Sequence, residues 1–273
     1  MTVPPDTSRP DPGAGAGAGT GRTVLRVGGH ECPPGALRGC RAGAEVAGPG
    51  RGLSLALAAR PRAVVVPMTL GRDPALAPAA AQAIAWTARG RGRGDLLLAE
   101  PLGSVTHLVG WLRAALVRAM RGASADRAVL LVAPAGAPED DAELFKVARL
   151  VRRHVPVRWV EVAIDGGEPD VPEGVDRCHR LGAREVVLVP ASLAPPPACD
   201  AALTAGPLLG PAAVDALVRQ RAAEAERRWH RDGDDGLAAG HAHHHHHAHT
   251  QSDHHHLMRP LRRAFKGAAV HGG

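Results

Sequence analysis

An internal repeat constrains this 273-residue chain more than any other feature. Residues 64–75 read VVVPMTLGRDPA, and residues 187–198 read VLVPASLAPPPA. Each copy is an apolar run followed by proline, a hydroxyl residue, leucine and a short loop that ends in Pro-Ala. A second pair of segments, EPLG at 100–103 and GPLLG at 206–210, follows the two copies in the same order. Two blocks repeated in one order predict two similar lobes in tandem with a cleft between them.

Short apolar runs alternate with amphipathic helical segments throughout both copies of the repeat. This alternation predicts an α/β fold of two tandem lobes, each a small parallel sheet flanked by helices. We expect a disordered leader at 1–21, lobe one at 22–122, lobe two at 123–229 and a His-rich disordered tail at 230–273. The sequence leaves open whether the lobes pair within one chain or across a homodimer.

The distribution of charge and apolar residues argues against nucleic acid and membrane partners. The net charge is +6, but the cations are scattered along the chain and no nucleic-acid-binding motif accompanies them. No apolar run reaches the roughly 18 residues that span a bilayer. The leader also lacks the apolar stretch of a secretory signal peptide. A basic cleft would attract polyanionic ligands.

Cysteine usage and missing motifs narrow the functional classes further. Four cysteines (Cys32, Cys40, Cys178 and Cys199) form no CxxC pair, which fits a reducing, cytoplasmic setting. The chain has neither a GxxxxGK[ST] phosphate loop nor a GxSxG nucleophile motif. A P-loop ATPase and the common type of serine hydrolase are therefore excluded.

His30 and Glu31 are the first candidates for a catalytic site. They follow the short β run 23–27 and a pair of glycines that permit a tight turn. Ligands of parallel α/β sheets bind at the carboxyl ends of strands, so these side chains are expected to face the cleft. An imidazole there binds a divalent metal or takes a proton near neutral pH. The alternatives are an exposed loop histidine and a mixed metal site with Cys32 and Cys40.

Thr69, Arg72 and Asp73 follow the central strand of lobe one and are candidate substrate-binding residues. The planar guanidinium of Arg72 can clamp a ligand carboxylate with two hydrogen bonds. The alternative is an ordinary turn built by Gly71 and Asp73. The second copy of the repeat has Ala-Pro-Pro-Pro in this place, so lobe one is predicted to be the working lobe.

Ten of the sixteen histidines lie between residues 241 and 256. A histidine-rich segment is typical of binding to Co²⁺, Ni²⁺, Zn²⁺ or Fe²⁺, and low-complexity drift is the alternative. The predicted metal ligands in the tail are His241, His243, His244, His245, His246, His247 and His249. Three histidines outside the tail, His107, His154 and His179, are interpreted as structural.

Taken in order, these features resemble the class II chelatases, in particular the sirohydrochlorin cobaltochelatase and ferrochelatase family of cobalamin and sirohaem biosynthesis. The shared features are the strand-end Gly-His, the VVxPxxL segment, the later Pro-Leu-Gly and the His-rich stretch, spread over residues 23–229. The resemblance implies that His30 binds the metal and assists proton removal. It also implies a second histidine, and Asp73 stands at that place.

The resemblance implies a lyase-type enzyme that inserts Co²⁺ or Fe²⁺ into a sirohydrochlorin-type tetrapyrrole without ATP. The divalent metal is then a substrate, and no tightly bound cofactor is expected. The tail would raise the metal concentration near the cleft. The missing second histidine supports an alternative, a catalytically degenerate metal-binding or metal-delivery protein on the same fold.

Overall fold

The computed structural model describes residues 21–37 and 46–238, which form two four-stranded parallel sheets. The first sheet has the order β2-β1-β3-β4 and consists of β1 (Thr23–Val27), β2 (Val46–Ala47), β3 (Ala63–Pro67) and β4 (Leu96–Leu98). The second has the order β6-β5-β7-β8 and consists of β5 (Arg127–Pro134), β6 (Val160–Asp165), β7 (Glu185–Pro190) and β8 (Leu203–Thr204). The predicted fold class is confirmed.

Helices flank both sheets. They are α1 (Arg51–Ala58), α2 (Leu76–Thr87), α3 (Val105–Ala119), α4 (Pro138–Arg152), α5 (Val171–Arg180) and α6 (Pro211–Asp232). Helix α6 extends past the predicted end of lobe two at 229 and stops at Gly233, whose positive φ of 64° suits a glycine at a helix end. Within residues 21–37 and 46–238, no helix has the length and apolar character to cross a membrane.

The repeat seen in the sequence is also a repeat of backbone structure. After β3, the Thr69 hydroxyl accepts a hydrogen bond from the Gly71 amide at 3.0 Å. After β7, the Ser192 hydroxyl accepts one from the Ala194 amide at 3.2 Å. The hydroxyl residue common to both copies therefore shapes the same turn at the carboxyl end of each central strand.

The two lobes exchange their last helices. Helix α3 follows the first sheet but packs against α4 and β7, whereas α6 follows the second sheet and packs against β3 and β4. Two nearly buried ion pairs fasten α6 to the first lobe, Arg22 to Glu226 at 2.5 Å and Arg26 to Asp215 at 2.6 Å. The boundaries at 122 and 229 remain a prediction drawn from sequence order.

The largest apolar core is shared by both sheets. It includes Val64 and Val66 of β3 together with Val129 and Leu131 of β5, all almost completely buried. Alternate residues of a strand face opposite sides of the sheet, so one face of each sheet looks into this common layer. The lobes therefore pair within a single chain, and the carboxyl ends of their strands meet at one region.

Candidate functional site

His30 lies where the two lobes meet, three residues beyond the end of β1. Its side chain is 16% exposed, and its Nδ1 atom is 3.5 Å from Asp73 Oδ2 and 3.9 Å from Asp140 Oδ2. Gly29 packs directly against the Asp73 carboxylate, where a β-carbon would collide. The glycine before His30 is thus required by a close approach.

Asp73 is held beside His30 by the backbone. Its carboxylate accepts hydrogen bonds from the amides of His30 and Leu76, and Leu76 begins α2. Burial raises the pKa of the Asp73 carboxyl above its ordinary value, His30 opposes that shift and Asp140 adds to it. The carboxyl consequently lies in a region that disfavours its negative charge and would favour a nearby cation.

Asp140 comes from the second lobe and was not among the predicted site residues. It sits in the first turn of α4, where its Oδ2 accepts a hydrogen bond from the Ala137 amide at 3.0 Å. A β-carbon on Gly136 would lie 3.1 Å from His30 Cε1, so this glycine admits the imidazole. A sequence signal existed, because three acidic residues open α4, but a helix N-terminus explains acidic residues without any site.

Glu31 is fully buried and holds the loop after β3 in place. Its Oε2 accepts hydrogen bonds from the Thr69 hydroxyl, the Leu70 amide at 2.9 Å and the Arg72 amide at 3.1 Å. Burial raises the pKa of the Glu31 carboxyl, although these hydrogen bonds and Arg72 oppose the shift. We predicted a catalytic role for Glu31; its place in the interior changes that interpretation to a residue that positions the loop.

Arg72 and Thr69 are buried as well, although we predicted that both would bind substrate. Arg72 has no exposed surface and reaches across to α4. Its Nε donates to the Asp140 carbonyl at 3.2 Å, and its Nη2 donates to Asp141 Oδ1 at 3.3 Å. The guanidinium therefore binds carboxylate and carbonyl oxygens of the protein itself, and Asp73 is the member of the predicted trio that adjoins the imidazole.

The site combines excess negative charge with unsatisfied polar atoms. Four carboxylates surround one guanidinium and one imidazole, and they belong to Glu31, Asp73, Asp140 and Asp141. Three buried atoms, His30 Nε2, Glu31 Oε1 and Arg72 Nη1, have no hydrogen-bond partner. Buried polar groups are nearly always paired. The surplus of carboxylates over cationic groups suits a divalent cation close to the imidazole.

The site does not form a complete metal cage in the part of the chain that the structure describes. No three His, Cys, Asp or Glu side chains there are arranged closely enough to hold a metal ion. The site thus offers one imidazole with two carboxylates at 3.5 and 3.9 Å from its Nδ1 atom, which is not a closed set of metal ligands. The predicted tail ligands, from His241 to His249, and Cys40 lie outside the described residues.

Two of the three histidines that we interpret as structural have local contacts. His107 Nδ1 lies 2.8 Å from the Ser104 hydroxyl at the start of α3. His179 Nδ1 lies 2.9 Å from the Ala183 carbonyl just after α5. His154 is exposed beyond the end of α4. None of these three histidines contributes to the His30 site.

An apolar cavity of about 470 Å³ opens between the loops of the two lobes. One wall is the segment that continues from His30, and the other walls come from the loop after β7 and the start of α6. The main lining residues are Pro33, Leu37, Leu193, Pro195, Leu209 and Val214. The Leu193 amide also donates to the Glu31 carbonyl at 3.0 Å, which links the cavity wall to the His30 site.

Comparison with known proteins finds a similarity to the CbiX family in the second lobe. Residues 129–195 match the CbiX family model, and this span runs from β5 through α4, with Asp140, to the loop after β7. A sirohydrochlorin cobaltochelatase of Priestia megaterium is 36% identical over 67 residues, which are 24% of this chain and 22% of that protein. The match therefore spans less than a quarter of that relative. The resemblance to class II chelatases is confirmed.

Two solved structures of SirB proteins are also among those to which this chain is similar. SirB from Bacillus subtilis with Fe³⁺ is 17% identical, with a TM-score of 0.48, and the match covers 76% of this chain and 98% of SirB. SirB from Bacillus subtilis subspecies spizizenii in complex with cobalt is 16% identical, with a TM-score of 0.44 and coverages of 78% and 98%.

Proposed function

We propose that this protein inserts a divalent metal, Co²⁺ or Fe²⁺, into a sirohydrochlorin-type tetrapyrrole without ATP. One observation carries the proposal: the His30 imidazole of the first lobe lies between Asp73 and Asp140, carboxylates that come from the two different lobes. The CbiX segment at 129–195 supports the class of reaction, because it includes one of those carboxylates.

The chemistry of insertion matches these three side chains. The macrocycle must lose two N–H protons as the metal enters, and a neutral imidazole can bind the metal or accept a proton near neutral pH. Asp73 and Asp140 would balance the positive charge of the metal or of the imidazolium. Because the metal is a substrate that must leave, an open set of ligands suits transfer better than a closed cage.

The surroundings of the site suit the rest of the substrate. A tetrapyrrole of this type carries many carboxylates, and a net charge of +6 would speed its capture. The apolar cavity beside the site offers a wall for the face of the ring. We include the tail histidines in the proposal as a tethered store that raises the local metal concentration.

A second candidate function is metal binding or delivery without insertion. It is favoured by Asp73, which occupies the place where the resemblance implies a second histidine, and by the incomplete ligand set around His30. The two candidates differ in one observable. A delivery protein would bind Co²⁺ and leave the rate of metal insertion into the tetrapyrrole unchanged.

The test is an anaerobic insertion assay with sirohydrochlorin and Co²⁺ or Fe²⁺, in which the change in tetrapyrrole absorbance measures the rate. The full-length protein should exceed the spontaneous rate, and His30→Ala should lower the catalysed rate by about 100-fold or more. His107→Ala, which alters a helix-capping histidine away from the site, should keep the wild-type rate. Equal rates with and without protein would exclude the enzyme and leave the delivery function.

A further inference from the structure

We infer that Arg72 is a positioning residue that holds Asp140 of the second lobe beside His30 of the first. The inference rests on the proposed function, since it assigns Arg72 a part in building the same site. Arg72 has no exposed surface, so its effect on a substrate must pass through the residues that it binds.

The backbone of Arg72 is fixed next to His30. Glu31 is the following residue, and its buried carboxylate accepts the Arg72 amide hydrogen bond at 3.1 Å. The same carboxylate binds the Leu70 amide at 2.9 Å, so two backbone groups of one loop depend on it. The backbone of Arg72 is thereby tied to the segment that carries the imidazole.

The side chain of Arg72 is fixed on α4. Arg72 Nε donates to the carbonyl of Asp140 itself, and Nη2 donates to the carboxylate of Asp141. Asp141 Oδ1 also accepts the Gly136 amide at 3.0 Å, which ties the loop before α4 to the same guanidinium. One side chain therefore sets the position of the first turn of α4 relative to the first lobe.

The geometry requires an arginine at this position. A guanidinium presents several donors in a rigid plane and can bind a carbonyl and a carboxylate together, whereas a lysine ammonium is a flexible point charge. Arg72→Lys should therefore keep a positive charge among the carboxylates but lose the fixed orientation of α4. Arg72→Met should lose both.

A double-mutant cycle on metal insertion tests whether Arg72 acts through Asp140. Arg72→Met and Asp140→Asn should each lower kcat/KM for Co²⁺ by about 10-fold, or 1.4 kcal/mol, with the larger part in KM for the metal. The double variant should be no worse than the poorer single variant, because both changes act through the loss of the Asp140 carboxylate from its place beside His30. Arg72→Lys should give an intermediate value.

The matched control is Arg26→Met, which removes another nearly buried arginine, one that joins the lobes through Asp215 of α6 and not through α4. It should lower stability but leave kcat/KM unchanged per folded molecule. Losses that simply add in the double variant, or an equal loss in Arg26→Met, would overturn the positioning role of Arg72.

A second readout does not depend on insertion. Diethylpyrocarbonate modifies accessible imidazoles, and mass spectrometry of the peptide that contains His30 separates it from the tail histidines. Arg72→Met should speed modification of His30 several-fold, because Nε2 is buried in the wild-type packing, whereas Arg26→Met should not. An unchanged rate in Arg72→Met would contradict the inference even if wild-type insertion is absent, an outcome that would separately end the proposed function.

Discussion

The carboxyl ends of the two central strands share a backbone and differ in chemistry. After β3 the loop carries Arg72 and Asp73, whereas after β7 the corresponding positions are Pro195 and Pro196. The hydroxyl residue that shapes the turn is present in both. The repeat has kept its fold while the first lobe supplies the imidazole and a carboxylate. The second lobe contributes an apolar wall, and its helix α4 brings Asp140 and Asp141.

This difference shows that neither lobe forms the site alone. The first lobe supplies His30 and Asp73, but Arg72 and Asp140 meet only because α4 approaches from the second lobe. The approach of α4 depends on both lobes, because α3 and α6 each pack against the sheet of the other lobe. A substitution at the β3 end and its counterpart at the β7 end should therefore have unequal effects.

The largest expected effect is on stability, and it should differ between the two loops because different residues hold them in place. Glu31→Ala removes a buried carboxylate, takes away one of the four carboxylates that balance the charge of Arg72 and leaves loop amides unpaired, which should lower the free energy of unfolding by about 3–5 kcal/mol. Ser192→Ala removes the two turn hydrogen bonds between the Ser192 hydroxyl and Ala194 in the other copy, both at 3.2 Å, and should cost about 1 kcal/mol. Urea unfolding measures both. Similar losses in the two variants would show that Glu31 is not the main anchor.

The next effect compares the two loops in activity. Asp73→Asn keeps the shape of the side chain and removes its charge beside His30, so kcat/KM for metal insertion should fall about 10-fold. Pro196→Ala, at the matching position of the other copy, should leave kcat/KM within about twofold of wild type. Steady-state insertion kinetics decide the matter. An equal effect at both positions would break the assignment of the chemistry to the first copy.

The smallest effect concerns stability and pH. Because the pKa of Asp73 is raised in the folded protein, its contribution to stability is most favourable below the ordinary aspartate pKa and is lost as pH rises through the raised value. Asp73→Asn should therefore raise the melting temperature at pH 7 by about 2 °C, measured with EDTA present. The gain should vanish on acidification. A gain that persists at low pH would have a cause other than the carboxylate charge.

The sequence predicted the parts of the fold that depend on local pattern. The repeated apolar runs became the parallel strands β3 and β7, and Gly29 and His30 took the strand-end position that the pattern indicated. The short strands β2 and β8, two residues each, were not predicted because so few residues show no periodicity.

Only part of the site could be predicted from the sequence, and the reason is physical. His30 and Asp73 follow strands of one sheet, and parallel strands bring their carboxyl ends together. The burial of Arg72 and the arrival of Asp140 depend on which sheet each amphipathic helix packs against. Helical periodicity shows that a helix has an apolar face, but it does not show which sheet that face packs against. The exchange of α3 and α6 therefore appears only in the three-dimensional structure.

The most direct test of a shared site is the location of the metal in crystals of the full chain soaked with Co²⁺. We expect an anomalous difference peak about 2.1 Å from a His30 ring nitrogen, the usual length of a metal–imidazole bond, with Asp73 or Asp140 as a further ligand. Cobalt found elsewhere in the chain, with no peak at His30, would contradict a metal-transfer site between the two lobes.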